Sequence, residues 1–270
     1  MDSVAYLQAL YDGGYESVDA YPLLSDETAA DERGDKLRFG DQERFIVTRN
    51  PVRLLGNSVR RYSPGIEPGM FLTLAEMTSA PDRIEAAASQ YGFLRGDMPA
   101  LVHVGQLIKG AFSDDPTVWG ELRIGERIGT WQVELGKMQE AVSLWRGVQS
   151  GDSKLLFTLA GGAAAPEADV GESMLDRVRQ LVNAGLADNV AARLVTDPGR
   201  GEATLTVAPK NLLGVAWLQL AQALSRKTEF RRCSECGAWF ERATRGKEKV
   251  FCSSRCRIRA HRAQKGRGEN

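Results

Sequence analysis

Apolar residues recur every three or four positions in several stretches of this chain, and each such stretch predicts a helix. Trp131, Leu135, Met138, Val142 and Trp145 are spaced four, three, four and three apart, drawing one stripe along about four turns. At this spacing the stripe reads as core packing rather than the lining of a ligand pocket. Met174, Leu175, Val178, Leu181 and Val182 mark a second helix over 171–184. Leu213, Trp217, Leu220 and Leu224 form the buried side of a third, from Asn211 to about Ser225, closed favourably at the negative end of its dipole by Arg226 and Lys227. Ser79 as N-cap and Pro81 in the first turn predict a helix ending at Gly92. Val4, Leu7, Leu10 and Tyr11 predict a short opening helix before the Gly13-Gly14 break.

The period changes in two places. Phe45, Ile46 and Val47 sit in a β-prone run over 44–48, stopped by Asn50-Pro51. Two more such runs, 192–196 and 203–207, flank Asp197-Pro198-Gly199-Arg200-Gly201 and predict a hairpin. The fold class expected is α+β: a mainly helical body with a short β-hairpin, followed by a small C-terminal domain. The polar, acidic stretch 25–40 has little to bury and reads as a loop.

Charge divides the chain more sharply than its formal net of zero suggests. Residues 226–270 hold 14 Lys and Arg against 5 Asp and Glu, whereas residues 1–43 hold 3 against 11. Three parts are expected: an acidic N-terminal segment over 1–43, the body over 44–226 and a basic module over 227–270. No apolar run approaches the roughly 20 residues of a membrane span, and the start Met1-Asp2-Ser3 lacks the basic opening of a signal peptide, so no membrane association and a cytoplasmic location are expected.

All 4 cysteines fall inside the basic module, as Cys233-x2-Cys236 and Cys252-x3-Cys256. Two disulfides or four buried thiols would account for the count, but paired cysteines in a chain without a secretory signal meet reducing conditions and stay open. Zinc explains the spacing better, because a two-residue gap lets one tight turn present two thiolates and an i, i+4 pair suits a helix start. A module of about 40 residues also buries too little apolar surface to fold without such a staple. The expected cofactor is therefore Zn²⁺, held by Cys233, Cys236, Cys252 and Cys256.

The run Cys-x2-Cys-Gly-x-Trp-Phe, a Lys/Arg-rich turn and then Val250-Phe251-Cys252-Ser253-Ser254-Arg255-Cys256-Arg257 resembles treble-clef zinc fingers, among them the bacterial CGNR fingers and the small four-cysteine DNA-gyrase-inhibitor proteins. Arg257-Ile258-Arg259 stands where Gly-Asn-Arg follows the last cysteine of the CGNR pattern. The likeness implies a knuckle, a hairpin and a helix carrying the second cysteine pair. Tyr91-Gly92-Phe93-Leu94 and the run from Leu213 to Leu220 ahead of the finger are similar to a group of uncharacterised bacterial proteins with a mostly helical body.

A helix from Cys252 onward would set Arg255, Arg259 and Arg262 on one stripe and Arg257, His261 and Lys265 on its neighbour, leaving Ile258 and the alanines to pack inward. Arg245, Lys247 and Lys249 extend the same electropositive surface. Like charges at helical spacing repel one another, and a phosphate backbone would relieve them. These eight cations are the expected nucleic-acid contacts, with DNA the favoured partner. The alternatives are a solvated tail and an adaptor gripping an acidic protein. Trp239 and Phe240 are expected to pack at the metal site rather than stack on bases. A nuclease of this build would need a histidine near the hairpin, yet the only two are His103 and His261, and four thiolates leave zinc no open position. No catalytic residue is therefore expected, and the body is expected to form a homodimer or to sense a ligand.

Overall fold

A computed structural model of the chain describes residues 8–11, 15–24, 38–39, 42–49, 59–62, 67–95, 100–109, 116–151, 167–196, 203–242 and 249–267. It is an α+β protein with six helices among the described residues. The chain divides into two compact units, one made of residues 7–63 and 77–136, the other of residues 1–6, 64–76 and 137–270.

The first unit is built on antiparallel strands. β1 (Gln8–Tyr11) pairs with β5 (Val59–Tyr62), which makes residues 8–11 a strand rather than the end of the expected opening helix; Val4 and Leu7 lie outside the described residues. β2 (Tyr15–Leu24) pairs with β4 (Glu43–Thr48), β4 with β7 (Pro116–Arg127), and β7 with β6 (Ala100–Lys109). The pairs Tyr21↔His103 and Pro22↔Val102 join β6 back to β2, so this sheet closes on itself and hides its edges. β3 (Arg38–Phe39) adds a short extension on Leu23 and Leu24, inside a stretch expected to be loop throughout.

Ala20, Phe45, Val47 and Val102 fill the closed sheet, each fully buried. Gly125 belongs to the same layer: a Cβ there would come within 3.0 Å of both Val102 and Val47. The opposite face, with Ile46 and Glu126, is covered partly by α2 (Pro81–Tyr91) and the turn after it. Tyr15 meets Phe93 edge to face at 4.9 Å. Glu85 of α2 accepts from the Ser17 N–H at 3.1 Å and pairs with Arg49 at 3.3 Å, strapping the helix to the strands. α2 ends at Gly92 as expected, but its N-cap is Ala80 with no side-chain bond, so Ser79 does not cap it.

The second unit is mostly helical. It contains α1 (Met70–Glu76), α4 (Glu167–Asn189) and α5 (Leu212–Arg226), together with the later part of α3 (Ile128–Ser150). All five residues of the Trp131 to Trp145 stripe are buried. α4 extends beyond both ends of the expected span. α5 is capped by Asn211, whose side chain accepts from the Gly214 N–H at 2.8 Å, and it buries Trp217 and Leu220 completely. Its Gln219 accepts from the Met70 N–H at 2.9 Å and donates to the Glu67 carbonyl at 2.8 Å, fixing the start of α1.

The expected hairpin is present as β8 (Val190–Thr196) and β9 (Ala203–Pro209), its connecting residues 197–202 lying outside the described set. The second unit ends with β10 (Phe230–Arg232), β11 (Trp239–Glu241) and α6 (Ser254–Arg267). No described helix is long and apolar enough to cross a membrane.

Candidate metal centre

β10 and β11 pair antiparallel, with Arg232 opposite Trp239, and the loop between them carries the first two cysteines. The Gly237 N–H donates to the Cys233 carbonyl and the Cys233 N–H to the Ala238 carbonyl, both at 2.9 Å. Gly237 closes this knuckle at φ 72, a conformation that a side chain disfavours. The second pair flanks the start of α6. The Ser253 hydroxyl accepts from the Cys256 N–H at 3.3 Å, an N-cap that sets the first turn of the helix and places Cys256 within it.

The four sulfurs consequently converge. They lie within 4.8 Å of one another, and Cys236–Cys252 and Cys252–Cys256 are each 3.6 Å apart. Sulfurs about 2.3 Å from a tetrahedral zinc stand roughly 3.8 Å from each other, whereas a disulfide brings them to about 2.0 Å. All four thiols are free, which discards the disulfide alternative for this structure. The cluster can hold a metal ion, and its all-sulfur composition suits zinc.

The surroundings favour negative charge unevenly. Burial pushes the Cys233 thiol up, but N–H groups of Cys252, Cys236 and Glu235 directed at it win, holding it down to about 6. Cys256 is lowered by the Ser253 hydroxyl, then by Cys252 and, more weakly, Arg259. Cys252 is pushed up to about 12 by desolvation and the sulfurs crowding it. Four sulfurs this close cannot all ionise without a cation among them.

Little else holds the module. Its buried residues are Cys233, Phe240 and Cys256, with Phe251 and Cys252 packed against them. Phe240 does pack at the cluster. Trp239 does not: the guanidinium groups of Arg232 and Arg146 lie over its ring, 4.7 and 5.5 Å from its centroid. Glu76 of α1 pairs with both arginines, Arg146 at 3.1 Å. Phe230 meets Phe71 edge to face at 5.3 Å. Gly69, at φ 79, has Trp239 Cβ 2.7 Å from where its own Cβ would be, so a side chain there would push the indole away. Glu76, Gly69 and Arg146 lie far from the cysteines in sequence, and no local signal links them to the module.

The expected anion contacts separate into groups. Arg255, Arg257 and Arg262 are exposed on α6 and have no acidic partner among the described residues. Arg259 is instead drawn to the cluster, Nη2 lying 3.7 Å from Cys256 Sγ and Nε 3.4 Å from Glu235. Lys249 is exposed, its ammonium 5.6 Å from the Phe240 ring centroid. Arg245 and Lys247 lie outside the described residues, and Lys265 is placed on α6 by its backbone alone. Arg232 and Arg242 are bound to Glu76 and Glu229. Ile258 remains 50% exposed instead of packing inward. Cys256, not Ile258, is the buried residue of the first turns of this helix.

The chain matches no family model, no curated protein and no solved structure.

Proposed function

We propose that this is a zinc-dependent nucleic-acid-binding protein, a cytoplasmic bacterial regulator whose C-terminal module is a treble-clef finger. The observation carrying the nucleic-acid reading is the division of the module's arginines. Arg232, Arg242 and Arg259 are each engaged by an acid of the same chain, while Arg255, Arg257 and Arg262 stand exposed on α6 without one among the described residues. Guanidiniums left to solvent keep their charge available, and a polyphosphate backbone is the chemistry that neutralises it. What supports the treble-clef reading is a two-stranded ladder whose turn is the first cysteine knuckle, followed by a helix that carries Cys256 in its first turn.

The metal centre is read as structural rather than catalytic, because a closed four-sulfur site leaves a zinc ion no position for an activated water. Duplex DNA is the partner to test first, by fluorescence anisotropy across a salt series. The wild type is expected to lose affinity steeply with salt, and Arg255→Ala/Arg257→Ala/Arg262→Ala to flatten the log-log slope by about 0.9 for each phosphate that is no longer neutralised. A salt-independent affinity, or an unchanged slope in the triple variant, would overturn the reading and direct attention to an acidic protein partner.

A further inference from the structure

α6 is held to its module along one narrow line. From Arg255 to Ala263 only Cys256 is buried and only Ala260 half-buried, one helical turn apart, while every other residue is exposed. Ile258 faces directly away from that line. At about 100° per residue, Arg255 and Arg262 fall about 60° and 40° to one side of Ile258, and His261 and Arg257 about 60° and 100° to the other. All four are exposed. Ile258, itself 50% exposed, is the one apolar side chain on that outward face.

A single exposed isoleucine is ordinary in itself; its surroundings decide what it can touch. Cations on both flanks call for an anion that rises on both sides of the helix and leaves an apolar floor between. The major groove of B-form DNA has that section. It is about 12 Å wide and 8.5 Å deep, it is walled by two phosphate backbones, and it carries the C5 methyl of thymine on its floor. A helix about 10–12 Å across, bare around most of its circumference, fits inside it. The deep, narrow major groove of an RNA duplex does not admit such a helix. An acidic protein would need a patch of about 800 Å² with an apolar core depleted of charge, and one isoleucine among arginines does not supply it.

We propose that Ile258 is the residue through which α6 reads base sequence: the helix lies in the major groove of duplex DNA and Ile258 packs on a thymine methyl group. Arg257 neutralises phosphates of one strand, and Arg255 and Arg262 those of the other. The arginines set register and supply affinity, whereas the isoleucine distinguishes thymine from the other bases, the only one with a methyl at that position. This inference rests on the nucleic-acid reading above and adds to it a groove, a base and a specificity-determining side chain.

Replacing thymine by uracil tests it, because only the methyl is lost while charge and base pairing stay. The probes are an alternating A and T duplex of about 20 base pairs, which offers a methyl at every pair so that no target sequence need be known, and the same duplex with uracil for every thymine. In fluorescence anisotropy at moderate salt the zinc-loaded full chain is expected to bind the thymine duplex about fourfold tighter, the worth of one buried methyl. Ile258→Ser is expected to bind both duplexes alike, at the affinity of the wild type for the uracil duplex. Ile258→Val is expected to keep the preference. Because Ile258 is half-exposed, neither substitution should alter metal content. Equal, salt-sensitive binding of both duplexes by the wild type would overturn this proposal and leave the nucleic-acid reading standing. A preference that persists in Ile258→Ser would overturn it as well. Binding to neither duplex would overturn both readings.

Discussion

The closed sheet and the four-cysteine module solve the same problem with different materials. The sheet joins its strands into a ring and fills it with Ala20, Phe45, Val47 and Val102, side chains that need only to be excluded from water. The module buries Cys233, Phe240 and Cys256 and little more, so its shape depends on what the sulfurs hold. The lesson is that one region should respond to core truncation and the other to loss of metal, with little exchange between the two effects.

The largest expected effect is on the module. Structural zinc in small domains contributes about 10–16 kcal/mol of apparent binding free energy at neutral pH, and in such domains that is folding free energy. Chelation, or Cys256→Ser, should therefore abolish amide-exchange protection across β10, β11 and α6 while the closed sheet keeps its protection. Hydrogen exchange read by mass spectrometry, region by region, checks this. The converse change, Phe45→Ala, should cost about 3–5 kcal/mol in denaturant unfolding of the sheet, leaving metal content unchanged.

A smaller effect sharpens the contrast through pH. Glu126 is buried, accepting from the N–H groups of Leu94 and Arg95 at 2.8 and 2.6 Å. Desolvation outweighs those bonds and raises its carboxyl from 4.5 to about 7. Between those values the folded state holds the proton more tightly than the unfolded state, so stability of the sheet should fall as pH rises through the window, by about 3 kcal/mol in all. Glu126→Gln should flatten that pH dependence in urea titrations, and a slope unchanged by the substitution would contradict the assignment.

The smallest effect concerns the packing of the module on α1. Glu76 pairs with Arg146 and Arg232 around Trp239, but all three are partly exposed, which limits each pair. Glu76→Ala should cost about 1 kcal/mol and change the fluorescence of Trp239 without releasing the metal. An unaltered spectrum would contradict that packing.

What the sequence disclosed follows from the range of the interactions concerned. The cysteine cluster is readable because its ligands come from two short motifs, each with geometry imposed by a local turn. The α3 stripe and the apolar side of α5 are readable for the same reason. The closed sheet is hidden, since the pairings that close it, β2 with β6 and β4 with β7, join residues 78 to 82 positions apart, and Gly105, Gly120 and Gly125 interrupt the alternation that would mark β6 and β7. Residues 8–11 mislead because Leu7, Leu10 and Tyr11 fit a helical step over too short a window to exclude a strand. Arg259 falls among the expected anion contacts because spacing shows its stripe but not Glu235, which comes from the knuckle.

One metal ion held by four sulfurs gives the module its shape, and native mass spectrometry with elemental analysis is the measurement that decides it. The expected result is one zinc per wild-type chain and none in Cys256→Ser, whose β10–α6 region is then unprotected from exchange. A metal-free wild-type chain with that region equally protected would contradict it.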